Sequence, residues 1–342
     1  MKRIVICSDG TWNSPDDEQA TNVLRFSRAI APVDNDGANQ VVFYDWGVGA
    51  DRKKMSGGIS GAGIDKNIMD CYRFIVHNFE PGDQLFFFGF SRGAYTVRSL
   101  GGFIRNCGIF KREHADRIPS AYDHYRRRQP SSSPDAHASV ELRRRYAWKD
   151  RPEIEFLGVW DTVGSLGVPV TFFGLLDNEE YLFHDTSPSS IIQCARHAMS
   201  IDECRKDFPV TRWDVKPGID LKEVWFAGVH SDVGGGYEDD NRLSEVAATW
   251  MAQEAAARGL RFESFLLDAL EDVPGASQHP QPTGIYRVRG KRWRKLLLDD
   301  LVHESVRRRY QYLGRRWKSP AFRKFFKAHD HDWSSLHIEG NP

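Results

Sequence analysis

Leu85-Phe86-Phe87-Phe88-Gly89-Phe90-Ser91-Arg92-Gly93 is a large apolar run that breaks on a G-x-S-x-G pentapeptide. The residues that follow, Ala94, Val97, Leu100 and Ile104, recur at helical spacing. A buried strand, a tight turn and a helix in that order make a nucleophile elbow. Gly89 and Gly93 are the supporting residues of the turn, because it is too tight for side chains at those positions. The turn lifts the Ser91 hydroxyl to the edge of a sheet, and the helix behind it aims unpaired amides and a positive dipole end at an anion forming there. Ser91 is therefore read as the nucleophile of a serine hydrolase, and Arg92, whose amide follows it, as the first oxyanion donor.

Outward from the elbow the same rhythm repeats. Near-continuous apolar runs at 4–7, 41–46, 84–88, 154–160 and 224–229 each end in Gly, Asp or His. Such runs are expected of parallel strands covered on both faces. Helical periodicity over 62–79, from 94 onward and over 244–259 lies between them. Strands alternating with helices predict an α/β-hydrolase-like fold, a mostly parallel sheet with helices on both faces. The expected catalytic domain is 1–261, with a surface insertion at about 126–150 marked by Arg126-Arg127-Arg128, Pro130-Ser131-Ser132-Ser133-Pro134 and Arg143-Arg144-Arg145. Residues 262–342 show no clear strand followed by a helix and are expected to be a basic, aromatic helical extension packed on that domain.

A serine needs a base, and the base an orienting acid. In this fold they follow in the order Ser, acid, His, each at a later strand end. Asp161 ends the run at 154–160, and His230 ends the run at 224–229. Asp232 is the rival acid, although only two residues from His230 it is better suited to holding the Gly234-Gly235-Gly236 turn. His197, Asp202 and Glu203 are further polar candidates, read as a structural cap or as an ion pair with Arg205. The second oxyanion donor is expected from Asp9-Gly10-Thr11 after the first strand, as the amide of Thr11 or Gly10. An alternative reading has Asp9 binding a metal in a phosphoester hydrolase, and another has a binding module that keeps the elbow for packing. Gly57-Gly58-Ile59-Ser60-Gly61-Ala62-Gly63 lacks the endings of a phosphate loop, and His329-Asp330-His331-Asp332 reads as a solvated tract. Neither a metal nor a cofactor is expected.

The chain has 342 residues, enough for one large α/β domain or two smaller ones. Lys plus Arg equals Asp plus Glu at 47 each, so no global field draws the protein to nucleic acid. The balance fails locally, since residues 287–327 hold fifteen Lys/Arg against three Asp/Glu. There Arg292-Trp293-Arg294-Lys295-Leu296 and Phe322-Arg323-Lys324-Phe325-Phe326-Lys327 interleave cations with large apolar groups, as peripheral contact with an anionic membrane requires. Helices packed by their aromatic face would show the same pattern. Five cysteines without C-x-x-C spacing are expected to be reduced and mostly buried, as in a protein synthesised in the cytoplasm. The N-terminus runs from charge straight into a strand, so export would use no cleaved leader. No run approaches the length of a membrane span.

The blocks CSDGTWN (7–13), GFSRGAYTVRSL (89–100), FLGVWDTVGSLG (156–167) and FAGVHSDVGGGY (226–237), in that order, resemble the α/β-hydrolase-like family designated domain of unknown function 2235. That family includes phospholipase effectors of bacterial type VI secretion. The resemblance covers about residues 1–315, including 195–213 and His303-Glu304-Ser305-Val306. It implies a Ser–Asp–His triad on Ser91, Asp161 and His230, in agreement with the reading from the residues. It also suggests the acyl esters of phospholipids as a substrate class. The chain departs from the secreted effectors in lacking an obvious large membrane-docking module. Any immunity or chaperone partner is left open.

Overall fold

A computed structural model describes residues 1–10, 19–47, 61–127, 129–148, 151–163, 187–265 and 274–340. The strands are β1 (Arg3–Ser8), β2 (Gln40–Asp45), β3 (Gln84–Phe90), β4 (Ile154–Trp160), β5 (Ile192–Ser200), β6 (Asp220–Phe226), β7 (Leu301–His303) and β8 (His337–Glu339). They form one sheet in the order β2-β1-β3-β4-β5-β6-β7-β8, and every pairing is parallel. The helices are α1 (Asn22–Ala29), α2 (Gly61–Asn78), α3 (Arg92–Cys107), α4 (Ile118–Arg126), α5 (His137–Tyr146), α6 (His230–Gly234), α7 (Arg242–Ala256), α8 (Glu304–Leu313) and α9 (Pro320–Ala328).

The apolar runs are continuous because successive residues enter two different cores. Ile4, Ile6, Leu85 and Phe87 pack with α2, α3 and α4 on one face. Val5, Cys7, Phe86, Phe88 and Phe90 pack with α1 and α7 on the other. The chain runs from β1 outward to β2 and then resumes at β3 on the opposite side of β1. That reversal opens a crevice at the carboxyl ends of β1 and β3, where sheets of this kind bind ligands.

Three features qualify the sequence reading. The described part of the 126–150 segment is mostly exposed, as a surface insertion is, but α5 lies within it, and Arg143 is buried, donating to the carbonyls of Asn106 (2.8 Å) and Pro134 (2.7 Å). Residues 262–342 are not only helical, because β7 and β8 extend the sheet from within them. At three residues each, these strands are too short to leave a pattern. β5 interrupts its apolar run with Arg196 and His197, both buried. Arg196 is neutralised by Asp220 (2.8 Å) and Glu254 (2.5 Å), and His197 Nδ1 lies 3.0 Å from Glu223.

A third core joins Met199, Ile201 and Trp225 to Trp317, Phe322, Phe325 and Phe326 of the C-terminal segment. The aromatic side chains at 317–326 therefore face inward, and α9 leaves Arg323, Lys324 and Lys327 to solvent. The five cysteines are buried and unpaired. Among the described residues no helix is long and apolar enough to cross a membrane.

Candidate active site

The sheet register brings the sequence candidates to one edge. Ser8 is paired with Gly89, Phe90 with Trp160, and Trp160 with Ala198. Ser91 and Asp161 thus each lie one residue beyond a paired position on adjacent strands. The Ser91 amide donates to the Trp160 carbonyl (3.1 Å) and the Asp161 amide to the Ala198 carbonyl (2.7 Å). Both residues then leave the sheet with positive φ, 56° at Ser91 and 40° at Asp161. A non-glycine residue held there stores backbone strain, which persists only where its surroundings enforce it.

The surroundings are the two glycines. A Cβ at Gly89 would stand 2.5 Å from the Gly93 carbonyl oxygen, and one at Gly93 would overlap the backbone of Ser8 and Asp9. The elbow is tight enough for α3 to start against the end of β1. Ser91 is the cap residue of α3 and makes no side-chain capping bond, so its hydroxyl is not engaged in helix capping.

His230 opens α6, four residues after β6 ends at Phe226. Its Nδ1 lies 2.6 Å from Asp161 Oδ2. Its ring rests against Phe90, the residue before Ser91, at 4.6 Å between centroids, with Phe208 edge-on at 5.2 Å. Gly234 permits this approach, since a Cβ there would enter the Phe90 ring. Burial lowers the His230 pKa, and Asp161 restores only part of the fall. Asp161 is fully buried, which pushes its carboxyl up, but Arg294 and His230 outweigh this and hold it well below the usual range. An ionised Asp161 accepts a hydrogen bond from Nδ1–H and so leaves the Nε2 lone pair as the basic site.

Arg294 is the site residue that sequence reading missed. Its Nη1 donates to Asp161 Oδ1 (2.5 Å), to the Ser200 carbonyl (2.8 Å) and to Ser200 Oγ (2.7 Å). Its Nη2 donates to Asp161 Oδ2 (3.0 Å) and to the Phe208 carbonyl (3.0 Å). The Ser200 amide adds a bond to Asp161 Oδ1 (2.9 Å). Residues 293–296 alternate between exposed and buried, with Arg294 and Leu296 inside. In a stretch this rich in Lys and Arg, nothing local separates Arg294 from its solvated neighbours.

The rival acid lies elsewhere. Asp232 Oδ2 accepts from the amides of Val229 (2.9 Å) and His279 (3.2 Å), and Asp232 Oδ1 meets His279 Nδ1. Glu203 ion-pairs with Arg205 (2.7 Å), and Asp202 accepts from the Gly228 amide (2.9 Å). His197 Nε2 accepts from the Thr162 amide (3.1 Å) and so supports the turn beside Asp161.

Asp9 holds the end of β1. It accepts from Gly10 N (2.7 Å), Thr21 Oγ (2.6 Å) and Tyr44 Oη (2.7 Å). The Gly10 amide is thus turned toward its own neighbour, which corrects Gly10 as an oxyanion donor. Thr11 lies outside the described residues, as do Gly57 to Ser60. Arg92 begins α3, where its amide has no carbonyl one turn earlier to bond to.

Comparison with known proteins supplies the family. A model for the T6SS phospholipase effector Tle1-like catalytic domain matches residues 2–254. An uncharacterized protein of Saccharomyces cerevisiae is 27% identical over 228 residues, 60% of this chain and 32% of that protein. A crystal structure of an uncharacterized protein from Pseudomonas aeruginosa shares 19% identity with a TM-score of 0.45, covering 76% of this chain and 46% of that one. The Tle1 effector, solved bound to the VgrG spike of the Type 6 secretion system, shares 19% identity with a TM-score of 0.39, covering 69% of this chain and 51% of that one. The chain spans only a third to a half of these relatives' length. It belongs to the family of Tle1-like phospholipase-effector catalytic domains.

Proposed function

From membership of that family, we propose that this protein is a serine hydrolase that cleaves acyl esters of phospholipids through Ser91, His230 and Asp161. The observation that carries the reading is the 2.6 Å contact between His230 Nδ1 and a buried Asp161, beside the strained turn that holds Ser91.

His230 Nε2 takes the Ser91 hydroxyl proton as Oγ attacks the ester carbonyl carbon. The carbonyl oxygen becomes an oxyanion facing the Arg92 amide at the start of α3. Collapse breaks the bond to the alcohol, which leaves with the proton from His230. Water then gives a proton to Nε2 and attacks the acyl-enzyme, releasing the fatty acid and restoring Ser91. Asp161 stays ionised throughout and stabilises the imidazolium that forms twice per cycle.

The membrane contact is proposed for residues 288–298 rather than for α9, whose aromatic residues are buried. Val288, Trp293, Leu297 and Leu298 are exposed there among Arg287, Lys291, Arg292 and Lys295. Apolar side chains set among cations suit the interface of an anionic bilayer. Synthesis in the cytoplasm completes the proposal.

Labelling with a fluorophosphonate tests the core of this reading. Intact-mass analysis should show one adduct on the wild type, mapped to Ser91, and none on Ser91→Ala. Fatty-acid release from phosphatidylglycerol vesicles should disappear with the adduct. Release by Ser91→Ala at the wild-type rate would sink the proposal.

A further inference from the structure

We infer that Arg294 is a positioning residue of the hydrolytic site, a guanidinium fork that fixes the plane of the Asp161 carboxylate and neutralises its charge. The inference rests on Asp161 and His230 acting as proposed above.

The geometry is that of a fork on a carboxylate, with Nη1 on Oδ1 (2.5 Å) and Nη2 on Oδ2 (3.0 Å). The fork is itself anchored, because the same two nitrogens reach the carbonyls of Ser200 and Phe208, which lie in β5 and in the segment before β6. Both partners are buried, the Arg294 side chain being 5% exposed and that of Asp161 0%. A carboxylate so enclosed without a counter-charge would be costly to keep ionised. Arg294 meets this cost and leaves Asp161 Oδ2 directed at His230 Nδ1.

The second consequence is electrostatic. A lone buried carboxylate would stabilise the His230 imidazolium strongly and raise the histidine pKa. Paired with Arg294, Asp161 contributes direction with little net charge. The remaining charges around His230 are already matched. Glu203, whose Oε2 accepts the His230 amide (3.3 Å), is held by Arg205. Asp232 on the same helix is held by His279, and His197, which faces Asp161 from β5, is held by Glu223. Removing Arg294 therefore leaves the charge of Asp161 uncompensated directly against the His230 ring. It lies beyond residue 254, where the match to the family's catalytic domain ends. The site is thus completed by the C-terminal segment.

The experiment compares Arg294→Met and Arg294→Lys with the wild type in the pH profile of p-nitrophenyl butyrate hydrolysis, with folding followed by thermal melting. Folded Arg294→Met should lose turnover, and the acid limb of its kcat/KM should move up by about one pH unit. Arg294→Lys keeps the charge but not the fork, so its acid limb should stay in place while kcat falls. An Arg294→Met protein that melts cooperatively and loses turnover without a shift in the limb would overturn the inference, leaving a structural role alone. If Arg294→Met does not fold, Arg294→Lys decides. Wild-type kcat in that variant would overturn the inference, and a reduced kcat on an unmoved limb supports it. Ser91→Ala, run beside them, isolates the underlying triad, because turnover surviving in that variant removes the triad whatever Arg294 does.

Discussion

Asp232, in the helix that His230 opens, has its Oδ1 2.5 Å from Nδ1 of His279. His279 is bonded on its other side to Asp239 (2.8 Å) and stacked on Tyr237 at 3.5 Å between ring centroids. The carboxylate nearest His230 in sequence thus fastens a neighbouring segment, while the imidazole is left to Asp161.

The two acids should separate by mutation. Asp161→Asn should lower kcat about ten-thousand-fold, by leaving His230 with the wrong tautomer. Asp232→Asn should cost stability, ~1–3 kcal/mol from unpaired partners, with a far smaller loss of turnover. Steady-state kinetics and urea unfolding on both variants measure this. A larger kinetic loss in Asp232→Asn would exchange their roles.

The same pair sets a stability change at alkaline pH. Asp232 raises the His279 pKa, and with Asp239 carries it to about 9. The folded value lies above the ordinary histidine value, so the stabilisation is complete below pH ~6.5 and disappears as pH rises through about 9. Solvent screening on the Asp239 side leaves a contribution of ~1 kcal/mol. Unfolding free energies of wild type and His279→Ala should therefore converge between pH 6 and 10, and a gap independent of pH would contradict the assignment.

Activity should vary with pH in the opposite sense. His230 works as a neutral base, so kcat/KM rises with pH through its folded pKa. Burial has lowered that pKa, placing the acid limb below the ordinary histidine value near 6.5. Initial rates on p-nitrophenyl butyrate from pH 4.5 to 9 should be close to their plateau by pH 7. A limb above pH 7 would show that Asp161 outweighs burial.

The elbow should display a trade between stability and activity. Ser91→Gly removes the strain of φ 56° and should stabilise the fold by ~1 kcal/mol while abolishing turnover. Gly93→Ala must displace the backbone of Ser8 and Asp9, and should cost at least about 3 kcal/mol. Thermal melts of the two variants should move in opposite directions.

Contact with lipid should be separable from chemistry. Leu297→Ser with Leu298→Ser, at side chains 46% and 61% exposed, should reduce cosedimentation with phosphatidylglycerol vesicles. Hydrolysis of vesicle lipid should fall more than hydrolysis of the soluble ester. Equal losses on both substrates would exclude this surface as the contact.

Much of this architecture is legible from sequence because burial on both faces of a parallel sheet leaves a local record. The runs at 4–7 and 85–88 are apolar at every position, since each residue enters one core or the other. The elbow is equally local, because its glycines answer to backbone contacts within a few residues or with the adjacent strand. That logic located Ser91 and Asp161 just past the ends of β3 and β4 and His230 four residues past β6, and it failed where the physics stopped being local. β5 hides because Arg196 and His197 are neutralised by Asp220, Glu254 and Glu223, residues on other elements. The cation-rich aromatic stretch of α9 reads equally well as surface or core until its packing against Trp317 and Tyr310 is seen.

Sequence alone determined which residues stand at the carboxyl end of the sheet, through hydrophobic period and turn chemistry. Tertiary structure decided which of them meet. Asp161 and Asp232 are both carboxylates within reach of a plausible role, and only the register of β4 beside β5, with α6 folded back on Phe90, turns His230 toward the first. Arg294 reaches Asp161 across 133 residues of chain. Ion pairs at that separation leave no periodicity, because their partners are chosen by the folded geometry that brings two distant backbones together.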